Sequence, residues 1–161
     1  MESFFLPNMN IPATIPRDGN GIAIPDPDWA LTVEKTVTFA DVAGQGATGT
    51  VALFTVTGMI LGRLIAQCTT DLAGATATLA VGATGNTAGI IAQTTATDID
   101  AGEIWRGTTP DIGIVESVNI KEWVLSQSIF ATVATAAITS GVIKFVLCYY
   151  PLTQNANVVA A

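Results

Sequence analysis

After residue 30, apolar and polar positions alternate with a period of two along most of the chain. Leu31, Val33, Lys35, Val37 and Phe39 alternate with Thr32, Glu34, Thr36 and Thr38, as in a strand with one buried face. A Gly/Ala/Thr-rich loop is predicted over 41–50, followed by a strand over 51–57. Gly58 marks a bend or bulge before a further strand over 59–68. Residues 76–82 alternate again and end at the turn cluster Thr84-Gly85-Asn86. Short strands are predicted over 89–94, 112–116 and 118–126. The clearest runs over 142–150 and stops at Pro151. The best helix candidate is 129–138, but it is rich in Thr and Ala, lacks a cap and ends at Ser140-Gly141. About eight short strands separated by turn residues predict an all-β fold, either a β-sandwich or a β-barrel.

The first 29 residues read differently. Prolines at 7, 12, 16, 25 and 27 are interleaved with Asn, Gly and Asp. Each removes a backbone donor and fixes φ, which excludes both a helix and an interior strand. The prediction is an extended N-terminal arm over 1–29 joined to an all-β domain over 30–161. The arm's composition is unlike that of a solvated linker. Phe4, Phe5, Leu6, Met9, Ile11, Ile15, Ile22, Ile24 and Trp29 are spaced along it, and apolar side chains on an extended backbone need a surface to lie on. That surface is either the arm's own domain or a neighbouring subunit. At about 3.1 Å per residue the arm's reach exceeds the diameter of a domain this size, which favours the neighbour and makes these nine residues the candidate partner-binding set.

Composition narrows the chemistry. The chain has 161 residues, half of them apolar, so a sizeable core is expected. Thirteen acidic against six basic residues give a net charge of −7, which argues against nucleic-acid binding through phosphate neutralisation. There is no histidine. That removes Ser-His-Asp and Cys-His nucleophile pairs and His-ligated metals, so no enzyme activity and no cofactor are expected. The start has no basic region and a three-residue apolar run, Phe4-Phe5-Leu6, so no secretory leader is expected. The longer apolar runs, 51–67 and 129–150, are Thr/Val/Ile-rich and carry Arg63 and Lys144 within them. They are expected to be strands and not membrane spans.

The remaining constellations are weak. Asp98, Asp100 and Glu103 are dense enough to hold a hard cation, yet their spacing is not that of an EF-hand and a solvated turn is the simpler reading. Asp26-Pro-Asp28 reads as a structural junction. Gly44, Gly46 and Gly49 spell G-x-G-x-x-G, but a strand and not a helix is expected to follow. Arg63 and Lys144 within apolar strands are either guards against edge pairing or reach an acidic partner at a subunit contact. Trp105-Arg106 and Lys121-Glu122-Trp123 place charges beside aromatics, either in the core or at an interface. Cys68 and Cys148 are expected as buried reduced thiols, with a disulfide left open.

The phrases Phe54-Thr-Val-Thr-Gly-Met-Ile, Ala66-Gln-Cys-Thr-Thr-Asp-Leu-Ala-Gly-Ala-Thr-Ala-Thr-Leu-Ala-Val-Gly82 and Thr97-Asp-Ile-Asp-Ala-Gly-Glu-Ile-Trp105 resemble small virion proteins of tailed bacteriophages. The greatest similarity is to head decoration, or cement, proteins. The likeness covers roughly 33–150. It implies a β-sandwich or β-barrel that forms a homotrimer on the capsid exterior. Its partner would be the major capsid protein, it would be made in the host cytoplasm, and it would have neither nucleic-acid nor membrane partners. In such proteins an N-terminal arm often reaches over neighbouring subunits. Another virion component (tail, head–tail joining or receptor-binding) is the alternative. A cellular binding module and an enzyme lie further off.

Overall fold

The computed structural model describes residues 31–112 and 121–161. They form two antiparallel sheets stacked as a sandwich, so the all-β expectation holds and the architecture is the sandwich. Among the described residues there are eleven strands and one 3-10 turn, Ala96–Asp98. In chain order the strands are β1 Leu31–Thr38, β2 Gly49–Thr57, β3 Ile60–Ala73, β4 Thr78–Ala83, β5 Asn86–Thr95 and β6 Glu103–Trp105. They continue as β7 Asp111–Ile112, β8 Trp123–Leu125, β9 Ile129–Ala134, β10 Ser140–Pro151 and β11 Asn157–Ala160. The first sheet runs β1-β10-β3-β6-β7, with β8 also paired to β3. The second runs β11-β2-β9-β4-β5.

The long β3–β10 ladder is the spine of the first sheet. Its register holds from Ile143↔Cys68 to Pro151↔Ile60, and burial alternates along both strands. Ile60, Leu64, Ala66 and Cys68 of β3 join Ile143, Phe145, Leu147 and Tyr149 of β10 in the core. The second sheet answers with Val51, Leu79, Val81, Ile129, Ala131 and Val133. Each large side chain so buried contributes about 1.5–3 kcal/mol. In β2 the register against β9 slips between Ala52 and Phe54. This bulge lets the consecutive Leu53 and Phe54 both be fully buried.

Several expectations are refined. The helix candidate 129–138 is strand β9 followed by a turn. Its Ile129, Ala131 and Val133 face the core with a period of two, and pairing with both β2 and β4 outweighs a weak helical signal. The run expected over 59–68 continues to Ala73. Of 112–116 and 118–126, only Asp111–Ile112 and Trp123–Leu125 are strand among the described residues. Strands β6 and β11 have no counterpart among the predicted strands. The glycine loop is followed by β2, not a helix. An ideal Cβ on Gly46 (φ +121°) would collide with the Ile138 carbonyl oxygen. That glycine serves a close backbone approach, with Ile138 N–H donating to the Gly46 carbonyl at 2.8 Å.

Candidate functional site

A break in strand pairing along β3 borders a cleft among the described residues. On the edge of β3 opposite β10, β8 pairs with residues Ile60, Leu61 and Gly62, and β6 pairs with Ala66 and Gln67. Both are antiparallel to β3, so they are two ends of one strand line. β6 ends at Trp105 and β8 begins at Trp123. Between them Arg63, Leu64 and Ile65 have no strand partner on that edge among the described residues. The opening has a volume of about 490 Å³. Leu64, Ile65 and Ile91 give it apolar walls, and Ala88, Gly89 and Ile90 bring β5 of the second sheet to its other side.

Trp105 is fully buried beside this cleft. Its Nε1–H donates to Thr94 Oγ1 at 2.9 Å, and the Thr94 hydroxyl donates to the Gly107 carbonyl at 2.8 Å. Thr94 is the one buried polar side chain in the described core, at 4% exposure, and this relay satisfies it. Trp123 is half-buried at the cleft. Its Nε1–H donates to the Gly89 carbonyl at 3.2 Å and spans the two sheets. Trp105 is therefore a core tryptophan, while Trp123 lines an opening.

The charges around the cleft are mostly closed. Arg63 pairs with Glu122 at 2.6 Å, continuing the β3–β8 register by one position. Arg106 pairs with Asp111 across the β6–β7 hairpin. Lys144 pairs with Glu34 at 2.8 Å, and Lys35 donates to the Ala161 carbonyl. Lys144 lies on β10, which β1 and β3 flank, and so guards no sheet edge, whereas Arg63 lies on the stretch of β3 that has no strand partner between β6 and β8 among the described residues. The acidic groups they reach belong to their own chain. Of the five basic side chains described, only Lys121 has no partner among the described residues, and it lines the cleft.

The other sequence candidates fall elsewhere. All nine proposed partner-binding residues, Phe4, Phe5, Leu6, Met9, Ile11, Ile15, Ile22, Ile24 and Trp29, lie outside the described residues, as does Asp26-Pro-Asp28. The acidic 98–103 stretch is a turn leading into β6, with backbone N–H groups held by Glu103 and by Asp71 of β3. Glu103 accepts from Asp100 N–H at 2.8 Å, and Asp71 accepts from Ala101 N–H at 2.7 Å. No group of three or more metal-ligating side chains occurs among the described residues. No described helix is long and apolar enough to cross a membrane, and the apolar runs are sandwich strands. Cys68 and Cys148 are both free. Cys68 is buried, whereas Cys148 is only half-buried on the outer face of β10, opposite Arg63. Burial pushes the Cys68 thiol up to about 11, and burial also raises Cys148.

Sequence reasoning missed the cleft and the special position of Lys121. The available signal was Lys121-Glu122-Trp123 itself, a cation beside an aromatic. What could not be read was which strand edge it joins. Fold and site together define a two-sheet antiparallel sandwich with a tryptophan-lined lateral cleft. No protein-family model, curated protein or solved structure matches the chain.

Proposed function

We propose that this protein is a structural, non-enzymatic component of a tailed-bacteriophage virion. It binds the outside of the capsid and stabilises contacts between major capsid subunits, as a homotrimer. The observation that carries this reading is the apolar, proline-rich sequence from Phe4 to Trp29, which precedes the residues of a β-sandwich. A protein that holds several subunits must be released from all of them together, because linked contacts raise one another's effective concentration. An arm burying a few hundred Å² contributes several kcal/mol at about 25 cal/mol per Å², less the cost of ordering it. Net charge of −7 keeps a dense array of copies soluble.

The test is deletion of residues 1–28, followed by co-sedimentation with shells of the parent phage assembled without the protein. The shortened chain is expected to keep its β circular dichroism and to lose attachment. Full attachment by the shortened chain refutes the role of the arm. Light scattering on the intact chain checks the trimer, and a monomer both in solution and on shells refutes it.

A second reading, a receptor-binding virion component, draws on the Trp123 cleft. Loss of host adsorption with unchanged shell stability in a Trp123→Ala phage favours it over the first.

A further inference from the structure

We propose that the cleft beside Trp123 is a binding site for an acidic saccharide. This goes beyond the capsid role and does not depend on the arm.

Four observations carry it. The cleft's volume of about 490 Å³ lies within the range of small-molecule sites, about 300–1,000 Å³. Trp123 sits in it half-exposed, with its indole N–H tied to the Gly89 carbonyl. The ring is thus held in place before any ligand arrives, which lowers the ordering cost of binding. Sugar rings present an apolar face of C–H groups and a rim of hydroxyls. A fixed indole suits the face, and the Thr108 and Thr109 side chains in the lining suit the rim.

The third observation is electrostatic. Arg63–Glu122 and Arg106–Asp111 are closed pairs, so Lys121 supplies the one open ammonium among the described residues of an otherwise acidic chain. One cation beside an aromatic selects a single carboxylate or sulfate and is too little for a polyanion such as nucleic acid. The fourth is the shape of the β5 wall. Between the pairs Val81↔Ile91 and Ala83↔Asn86 the β4–β5 register shifts, with four residues of β5 (87–90) opposite the single residue Gly82 of β4. This wall offers irregular backbone groups near Ala88 and Gly89. It is not a regular ladder for an added peptide strand. The geometry therefore favours a compact polyhydroxyl ligand over an extended peptide.

The experiment is isothermal titration of the full chain with three probes: trigalacturonic acid, the same trisaccharide with its carboxylates reduced to alcohols, and hexaglutamate. Trigalacturonic acid is expected to bind saturably and the reduced form about tenfold more weakly, the size of one partly exposed charge-assisted hydrogen bond. Lys121→Gln is expected to erase that difference. Trp123→Ala is expected to weaken both sugars about tenfold, and Trp123→Phe to retain most of the binding. Circular dichroism confirms that each variant is folded. Absence of saturable binding to the folded full chain overturns the proposal. So does equal binding of the two sugars, binding unchanged by Lys121→Gln, or preference for hexaglutamate.

Discussion

Replacing Thr94 with Val isolates the relay that links the second sheet to the excursion after β6. The substitution is nearly isosteric, exchanging a hydroxyl for a methyl. The Trp105 indole N–H, in a fully buried side chain, loses its acceptor, and the Gly107 carbonyl loses its 2.8 Å donor. Gly107 is only half-buried, so water reaches it and most of the cost falls on the indole. A buried donor left unsatisfied costs about 1–3 kcal/mol, and the lost bond adds about 1. Thr94→Val is therefore expected to destabilise by about 2–3 kcal/mol. With an m-value of about 1.5 kcal/mol/M in urea, the unfolding midpoint falls by about 1.3–2 M. Thr94→Ser keeps the hydroxyl and loses one methyl, so its cost is about 1 kcal/mol. A double-mutant cycle with Trp105→Phe is decisive, because without the indole N–H there is no donor to orphan. Thr94→Val is then expected to cost about 1–2 kcal/mol less in the Trp105→Phe background than in the parent. An equal cost in both backgrounds, or a parent cost below about 0.5 kcal/mol, refutes the relay.

Other outcomes follow from single features. Gly141 has φ +120°, and an ideal Cβ there would lie 2.6 Å from the Asp71 carbonyl oxygen and would also meet Leu72 Cδ2. Gly141→Ala is expected to cost at least about 2 kcal/mol and to lower the melting temperature in calorimetry. Lys144→Gln removes an ion pair between side chains 38% and 57% exposed, and chemical unfolding should show a change below about 0.5 kcal/mol. Because Cys68 titrates near 11 when folded and near about 8.5 in an open chain, folding favours the protonated thiol. That contribution is complete below about pH 8.5 and is lost as pH rises toward 11, so stability should decline across that window, and Cys68→Ala should flatten the decline. Under native conditions at about pH 8, near the ordinary thiol range, a thiol reagent should label half-buried Cys148 before buried Cys68.

How much of this was legible depended on whether the signal was local. The alternation at 142–150 is local, and β10 lies where that pattern predicts it. The 129–138 stretch has no strong local preference: Ile-Phe-Ala-Thr-Val-Ala fits a strand or a poor helix. Its state is decided by β2 and β4 on its two sides, which are distant in sequence. Strand β6 has three residues and exists because Ala66 and Gln67 of β3 present a free edge to it. Strand β11 follows Pro151 and pairs with the much earlier β2, at Val158↔Val56. Ion pairs were invisible for the same reason. Arg63 and Lys144 look anomalous in apolar runs, yet both lie on the outer face, and their partners become visible only once the register is known. The buried role of Thr94 likewise depends on a tryptophan from another sheet.

The interruption between β6 and β8 leaves Arg63, Leu64 and Ile65 without a strand partner on that edge of β3 among the described residues. An unbroken strand from β6 into β8 would pair Arg63, Leu64 and Ile65 as fully as their neighbours, each ladder hydrogen bond contributing about 0.5–1.5 kcal/mol net. Instead β6 ends at Trp105 and β8 begins at Trp123. A tryptophan–carbonyl bond and two ion pairs lie around the opening. Breaks in local regularity concentrate where a fold serves something other than its own stability. They do so most usefully when set on a rigid frame, here the β3–β10 ladder. The discriminating variant replaces residues 106–122 with Thr-Val-Thr, one residue opposite each of Ile65, Leu64 and Arg63, so that β6 runs straight into β8. If this closure raises the melting temperature while abolishing saccharide binding and sparing shell attachment, the opening is kept for a ligand. If it lowers the melting temperature and leaves any ligand binding intact, the excursion is structural and the cleft incidental.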